Sequence, residues 1–125
     1  MVESAQPRIA VEYTDEAVVI SFTDEKILES RDVQALKDSV MGVIEQAEGI
    51  NLVLDFSQVK FLSSAVLGLL INISKRVYEQ EGEMKLCNIN SKIYEIFKIT
   101  RLTKVFDIYD DRESALKSFG NEDEQ

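Results

Sequence analysis

The chain has 125 residues and is 45% hydrophobic, which suits one compact core and no second domain. A formal charge of −9, with acidic residues spread from Glu3 to Glu124, repels phosphate backbones and anionic lipid surfaces, so neither nucleic acid nor membrane is an expected partner. Histidine is absent and Cys87 is the single cysteine, which excludes an internal disulfide and the usual zinc or Cys-His chemistries and leaves Cys87 to fill the core.

The longest apolar stretch, around Ala65 to Ile71, is far shorter than the ~18 residues a membrane span needs. The opening MVESAQPR lacks a signal-peptide core, so a soluble cytoplasmic domain over residues 1–125 is expected, with its core within 8–119. In chain order, Ile9 to Thr14 and Ala17 to Phe22 are rich in β-branched and aromatic residues and predict a hairpin turning at Asp15-Glu16. From Arg31 to Glu48, Val33, Leu36, Val40, Val43, Ile44 and Ala47 recur at helical spacing, with Ser30 as N-cap and Gly49 as the stop. Asn51 to Asp55 reads as a central strand covered on both faces, and its terminal Asp55 as a carboxylate accepting loop N–H groups.

A helix from Ala65 to Glu81, closed by Gly82, and a strand from Met84 to Ile89 complete a βαβ unit. A shorter helix from Ser91 to Ile99 presents Ile93, Ile96 and Phe97 on one face, with Tyr94 on its flank, and leads to a strand from Val105 to Tyr109. Asp110 with Glu113 then predicts a capped helix start, Leu116 and Phe119 dock it, and Gly120 ends it before a frayed acidic tail at 120–125. Strands alternating with helices after a hairpin imply an α/β fold with a mixed, mainly parallel sheet of about five strands and about four helices.

The serine pair Ser63-Ser64 stands between the central strand and the helix that follows. Unpaired N–H groups and the positive end of the dipole make such a helix mouth favourable for a phosphate. At about 100° per residue from Ser64, Val66, Leu69, Leu70, Ile73 and Val77 form a buried stripe on the opposite side. Gly68, Ile71, Asn72, Lys75 and Glu79 share the Ser64 side, so Ser64 is the accessible hydroxyl, while Ser63 projects nearer the buried flank if helical or serves as N-cap if it precedes the helix. Capping alone also accounts for both serines. Asp24 and Glu29 either frame a partner surface or belong to a solvated loop. No GxxxxGK[ST] or GxGxxG loop is present, no base stands ready to activate a serine, and Asp110-Asp111 falls at a helix start, so no enzyme, metal or cofactor is expected.

The segment LVLDFSQVKFLSSAVLGLL resembles the signature of STAS domains, the fold of bacterial anti-sigma factor antagonists, in which a strand ending VLDLS leads through an aromatic residue to DSSGLG or DSAGLG. The likeness extends through the opening hairpin, the helix around Leu36-Lys37, the GEMKLCNIN strand and the ending IYEIFKITRLTKVFDIYDDRESAL. The resemblance implies a single STAS-like (SpoIIAA-like) domain that binds an anti-sigma factor, with Ser64 as acceptor of a phosphate from that partner acting as a serine kinase. A serine phosphatase would reset the switch, and ATP would belong to the kinase. Partner contacts would come from Asp24, Glu29, Ser63, Gly68, Ile71, Asn72 and Lys75, with homodimerisation left open. The alternative is a non-phosphorylated STAS interaction or scaffold module. Three positions depart from the pattern: Ser63 stands for the aspartate, Val66 for a glycine, and Lys26-Ile27-Leu28-Glu29 for a GELD-like segment.

Overall fold

The computed structural model describes residues 9–46 and 49–120. In chain order it contains β1 (Ile9–Tyr13), β2 (Val18–Phe22), β3 (Lys26–Ile27), α1 (Ser30–Ile44), β4 (Asn51–Asp55), β5 (Phe61–Leu62) and α2 (Ser64–Glu79). There follow β6 (Glu83–Cys87), α3 (Ser91–Ile99), a 3-10 turn (Leu102–Lys104), β7 (Asp107–Tyr109) and α4 (Arg112–Gly120). The main sheet has five strands in the order β1-β2-β4-β6-β7, with β1 antiparallel to β2 and every other pairing parallel. The hairpin turn is tied by Thr14, whose Oγ1 accepts the Glu16 and Ala17 amides at 3.2 and 3.0 Å.

Strand β4 is central and covered on both faces, as its unbroken apolar run requires. On one face Leu52 and Leu54 join Leu36, Val40 and Ile44 of α1 and Val66, Leu70 and Ile73 of α2 in the main core. On the other, Val53 joins Val19, Cys87 and the α4 residues Ala115 and Phe119 in a smaller one. Each such aliphatic side chain removed from water contributes about 1.5–3 kcal/mol before entropy is counted. Lys85 is buried on the α4 side, where Asp107 takes its ammonium at 3.3 Å and the Phe119 ring lies 5.0 Å away.

Several local expectations are corrected. Helix α1 is capped at Glu29 rather than Ser30, and it ends at Ile44 rather than running towards Gly49. Gly49, at φ +72°, instead turns the chain into β4 and donates its N–H to the Gln80 carbonyl at 2.8 Å. Ala47, Glu48 and the tail at 121–125 lie outside the described residues. The residue that closes α2 in the left-handed conformation is Glu81, while Gly82 is required by proximity: a Cβ there would stand 2.0 Å from the Ile50 carbonyl oxygen. Asp111, not Asp110, caps α4, accepting the Ser114 amide at 2.8 Å. The expected strand at Val105 starts only at Asp107, because a 3-10 turn entered through left-handed Arg101 occupies the approach. Ile93 and Phe97 are buried as expected, but Ile96 is exposed.

Candidate functional site

The parallel strands end on one edge of the sheet, and the four helices of the described residues begin there. This carboxyl edge is where open α/β sheets collect their binding loops. The two-residue strands β3 and β5, invisible to any periodicity, complete the edge by pairing in parallel, Lys26 with Phe61 and Ile27 with Leu62. The ladder extends one step further, for the Ser63 amide donates to the Ile27 carbonyl at 3.0 Å. As each short strand runs directly towards a helix, the mouths of α1 and α2 are held side by side.

Pairing with Ile27 fixes Ser63 in an extended conformation at the N-cap of α2, with φ −91° and ψ 166°. Its hydroxyl does not do what the capping expectation requires: Ser63 Oγ is buried without a hydrogen-bond partner and accepts nothing from the first turn. The Val66 amide turns back to the Ser63 carbonyl at 3.0 Å, and the N-cap side chain itself makes no capping hydrogen bond. Ser64, the first helical residue, is exposed. An anion attached at Ser64 would therefore sit beside helix-end N–H groups and the positive end of the dipole.

The helix behind it is divided as its periodicity predicts. Val66, Leu69, Leu70, Ile73 and Val77 are buried, and the buried arc also takes in Leu67 and Ser74 on the flank. Gly68, Ile71, Asn72 and Lys75 are exposed in line with Ser64, forming a face with little side-chain relief at Gly68 and an apolar contact at Ile71. No heavy atom lies within 4 Å of a Cβ added at Gly68. Glu29 is exposed at the neighbouring mouth, where its carboxylate meets Arg31 at 3.2 Å, while Asp24 is half-buried in the loop before β3. The structure thus places Ser64 and Glu29 at one edge and the four α2 residues along one exposed face.

Beneath this edge Asp55 is buried and fully engaged, as its position at the end of a central strand suggests. Oδ1 accepts the Ser57 amide at 2.9 Å and the Asn88 amide nitrogen at 3.1 Å, while Oδ2 faces Arg112 at 3.3 Å. Arg112 also reaches Glu12 at 2.5 Å and Ser21 Oγ at 3.4 Å, locking α4 to three strands. Burial opposes its charge, but the bonds to Glu12 and Asp55 prevail and raise its pKa. Burial also pushes the Cys87 thiol up to about 12, helped by the Asp55 charge, so that Cys87 is an inert part of the core. Among the described residues, no group of three or more acidic or sulfur side chains is arranged to hold a metal ion.

Sequence reasoning missed Arg112 and the cations Lys26, Lys60 and Lys92, which gather with Phe61 and Ile96 around a groove beside this edge. The signal for Arg112 was a buried acid lacking a cation, and that becomes readable only once Asp55 is placed. Tyr94 lies half-exposed on the flank of α3 and Phe97 in the core, as their helical spacing suggests.

Known proteins share this fold. Over 93 residues, 74% of this chain and 79% of the other, it is 25% identical to BtrV of Bordetella bronchiseptica, a protein named as an anti-sigma factor antagonist. The solved structure of an anti-sigma-factor antagonist (STAS) domain protein from Planctomyces limnophilus superposes with a TM-score of 0.82, at 23% identity, over 90% of this chain and 97% of that one. The Bacillus cell fate determinant SpoIIAA, solved in its phosphorylated form, superposes with a TM-score of 0.65, at 20% identity, over 85% of this chain and 93% of that one. The profile of the STAS domain matches residues 8–115, which take in every strand, the mouths of α1 and α2 and the start of α4, and the chain belongs to the STAS domain family.

Proposed function

We propose that this protein is an anti-sigma factor antagonist that binds an anti-sigma factor through the mouth and exposed face of α2, and that phosphorylation of Ser64 switches the binding off. The observation that carries the reading is the exposed Ser64 on the first residue of a helix whose N-cap side chain makes no capping hydrogen bond. The names borne by BtrV and by the Planctomyces limnophilus protein supply the class of partner. The phosphorylated state of SpoIIAA supplies a precedent for the switch on the same fold.

The chain acts by binding and contributes no catalysis. With no histidine in the sequence, no imidazole is present to take the Ser64 proton, so a partner kinase brings both ATP and the base. Phosphate adds about −1.5 to −2 charges at neutral pH. The α2 mouth accommodates that charge, while a partner surface matched to a neutral hydroxyl has to desolvate it, and binding weakens. A serine phosphatase restores the binding form.

Ser63 shapes this cycle by what it lacks. It stands where the family signature has a carboxylate, and its buried hydroxyl leaves the mouth less negative before phosphorylation. The same substitution favours a second reading, a scaffold that binds without being phosphorylated. Incubation with serine kinases encoded in the same genome and ATP, followed by phosphosite mapping by mass spectrometry, separates the two. The account expects one phosphate on Ser64. A stable kinase complex without phosphate, or phosphate only elsewhere, would transfer the protein to the scaffold class.

A further inference from the structure

A groove of about 440 Å³ lies between the β3/β5 ribbon and α3, lined by Lys26, Leu28, Lys60, Phe61, Leu62, Lys92, Ile93 and Ile96. Single exposed apolar side chains are ordinary on a protein surface, but Leu28, Phe61 and Ile96 converge on one concavity at 50%, 46% and 38% exposure. The walls are tied together by backbone. The Lys60 and Phe61 amides both donate to the Glu25 carbonyl, at 2.8 and 3.0 Å. From the α3 side, Asn90 Nδ2 reaches the Val59 and Lys60 carbonyls at 3.3 and 3.4 Å while its Oδ1 caps the helix. A groove whose walls are tied in this way is formed before any ligand arrives, which lowers the ordering cost of binding.

Charge selects the ligand. The chain carries 23 acidic against 14 basic residues, yet among the described residues three lysines and no carboxylate line this concavity. Lys26 lies over the Phe61 ring with its Nζ 5.9 Å from the centroid, and Lys60 holds a loose, exposed pair with Glu25 at 3.7 Å. Lys92 makes no ion pair with any described residue. Lysine stems commonly cover apolar surface while their ammonium groups stay in water, and here three lysines line one largely apolar concavity.

We propose that this groove binds a small amphipathic carboxylate, an aliphatic chain whose single anionic head meets the lysine rim. The volume suits a small molecule, for it falls within the small-ligand range of about 300–1,000 Å³. The aliphatic chain lies along Leu28, Phe61, Leu62, Ile93 and Ile96. The carboxylate turns outward to Lys60 and Lys92. This site is separate from the Ser64 hydroxyl and stands whether or not that serine is phosphorylated.

The test is titration of the full chain with decanoate, followed by calorimetry and by amide chemical shifts, with decanol and acetate as controls for body and head. Decanoate is expected to saturate, with shifts concentrated at the groove residues. Lys60→Glu combined with Lys92→Glu, both on exposed side chains, should weaken decanoate by about tenfold or more while leaving decanol binding unchanged. Ile96→Trp should block both by filling the concavity, and unchanged melting temperatures confirm that the variants are folded. Shifts scattered over the surface, absence of saturation, or equal decanoate affinity in the charge-reversed variant would overturn the proposal. So would an acidic, apolar peptide that shifts the groove residues while decanoate leaves them unmoved, since the groove would then belong to a protein partner.

Discussion

Ser63 and Ser64 differ because pairing with Ile27 ends between them: one hydroxyl is turned inward and buried, the other stands at the surface on the first helical residue. Angular placement from sequence reaches that distinction for Ser64. It does not reach the missing cap bond of Ser63, which depends on a strand pair formed across the chain. Asp55 shows the same limit. Its end-of-strand position announces a carboxylate held by loop amides, but Arg112 is 57 residues away, and only the approach of α4 brings the two to 3.3 Å. The Asp55 side chain is 5% exposed against 36% for Arg112, so removing the arginine leaves the more deeply buried charge unpaired. Arg112→Met is expected to lower stability by about 2–3 kcal/mol in urea unfolding, with much of the loss recovered when Asp55→Asn is added. A loss below about 0.5 kcal/mol, or additive losses in the double variant, would show that the ion pair does not hold α4.

Helix α2 was readable almost whole, because its buried residues recur at helical spacing and the face in line with Ser64 is small or polar apart from Ile71. Two glycines bracket its energetics. Gly68 lies in the helix interior with open space around it, so Gly68→Ala should stabilise by about 0.5–1 kcal/mol through helix propensity. Gly82→Ala should instead cost about 2 kcal/mol or more, because its Cβ would strike the Ile50 carbonyl at 2.0 Å and push apart the entries to β4 and β6. Equal unfolding midpoints for the two variants would contradict this packing. Elements built by non-local pairing were not readable: β3 and β5 are two residues each, too short to show any period, yet they align the α1 and α2 mouths. The boundaries of α1 and β7 were misplaced for a related reason. Left-handed Arg101 and the 3-10 turn override β-branched propensity at Val105, and α1 has ended by Ile44 although apolar spacing continues to Ala47.

At the level of the whole molecule, a mainly parallel sheet sends the mouths of the described helices to one edge, and the proposed binding surface follows from that topology. Its pH response is equally simple. With no histidine and Cys87 pushed up to about 12, stability should be flat over about pH 6–8. On the acid side, the Arg76 hydrogen bond holds the Glu45 carboxyl below its ordinary value of 4.5, and the Ser114 backbone amide holds Asp111 below 3.8. Carboxyls depressed by folding stabilise above their unfolded pKa and lose that contribution as pH falls through the folded one. Urea midpoints should therefore decline as pH drops through those ordinary values, and more gently in a Glu45→Gln, Asp111→Asn variant. A midpoint that titrates near neutrality would contradict the assignment. For the switch itself, the decisive measurement is calorimetric affinity of an anti-sigma factor kinase from the same genome for Ser64→Ala and Ser64→Asp. The alanine form should bind within about twofold of the unmodified protein and the aspartate form at least about tenfold more weakly. Equal affinities for the two would contradict a charge-operated switch at the α2 mouth.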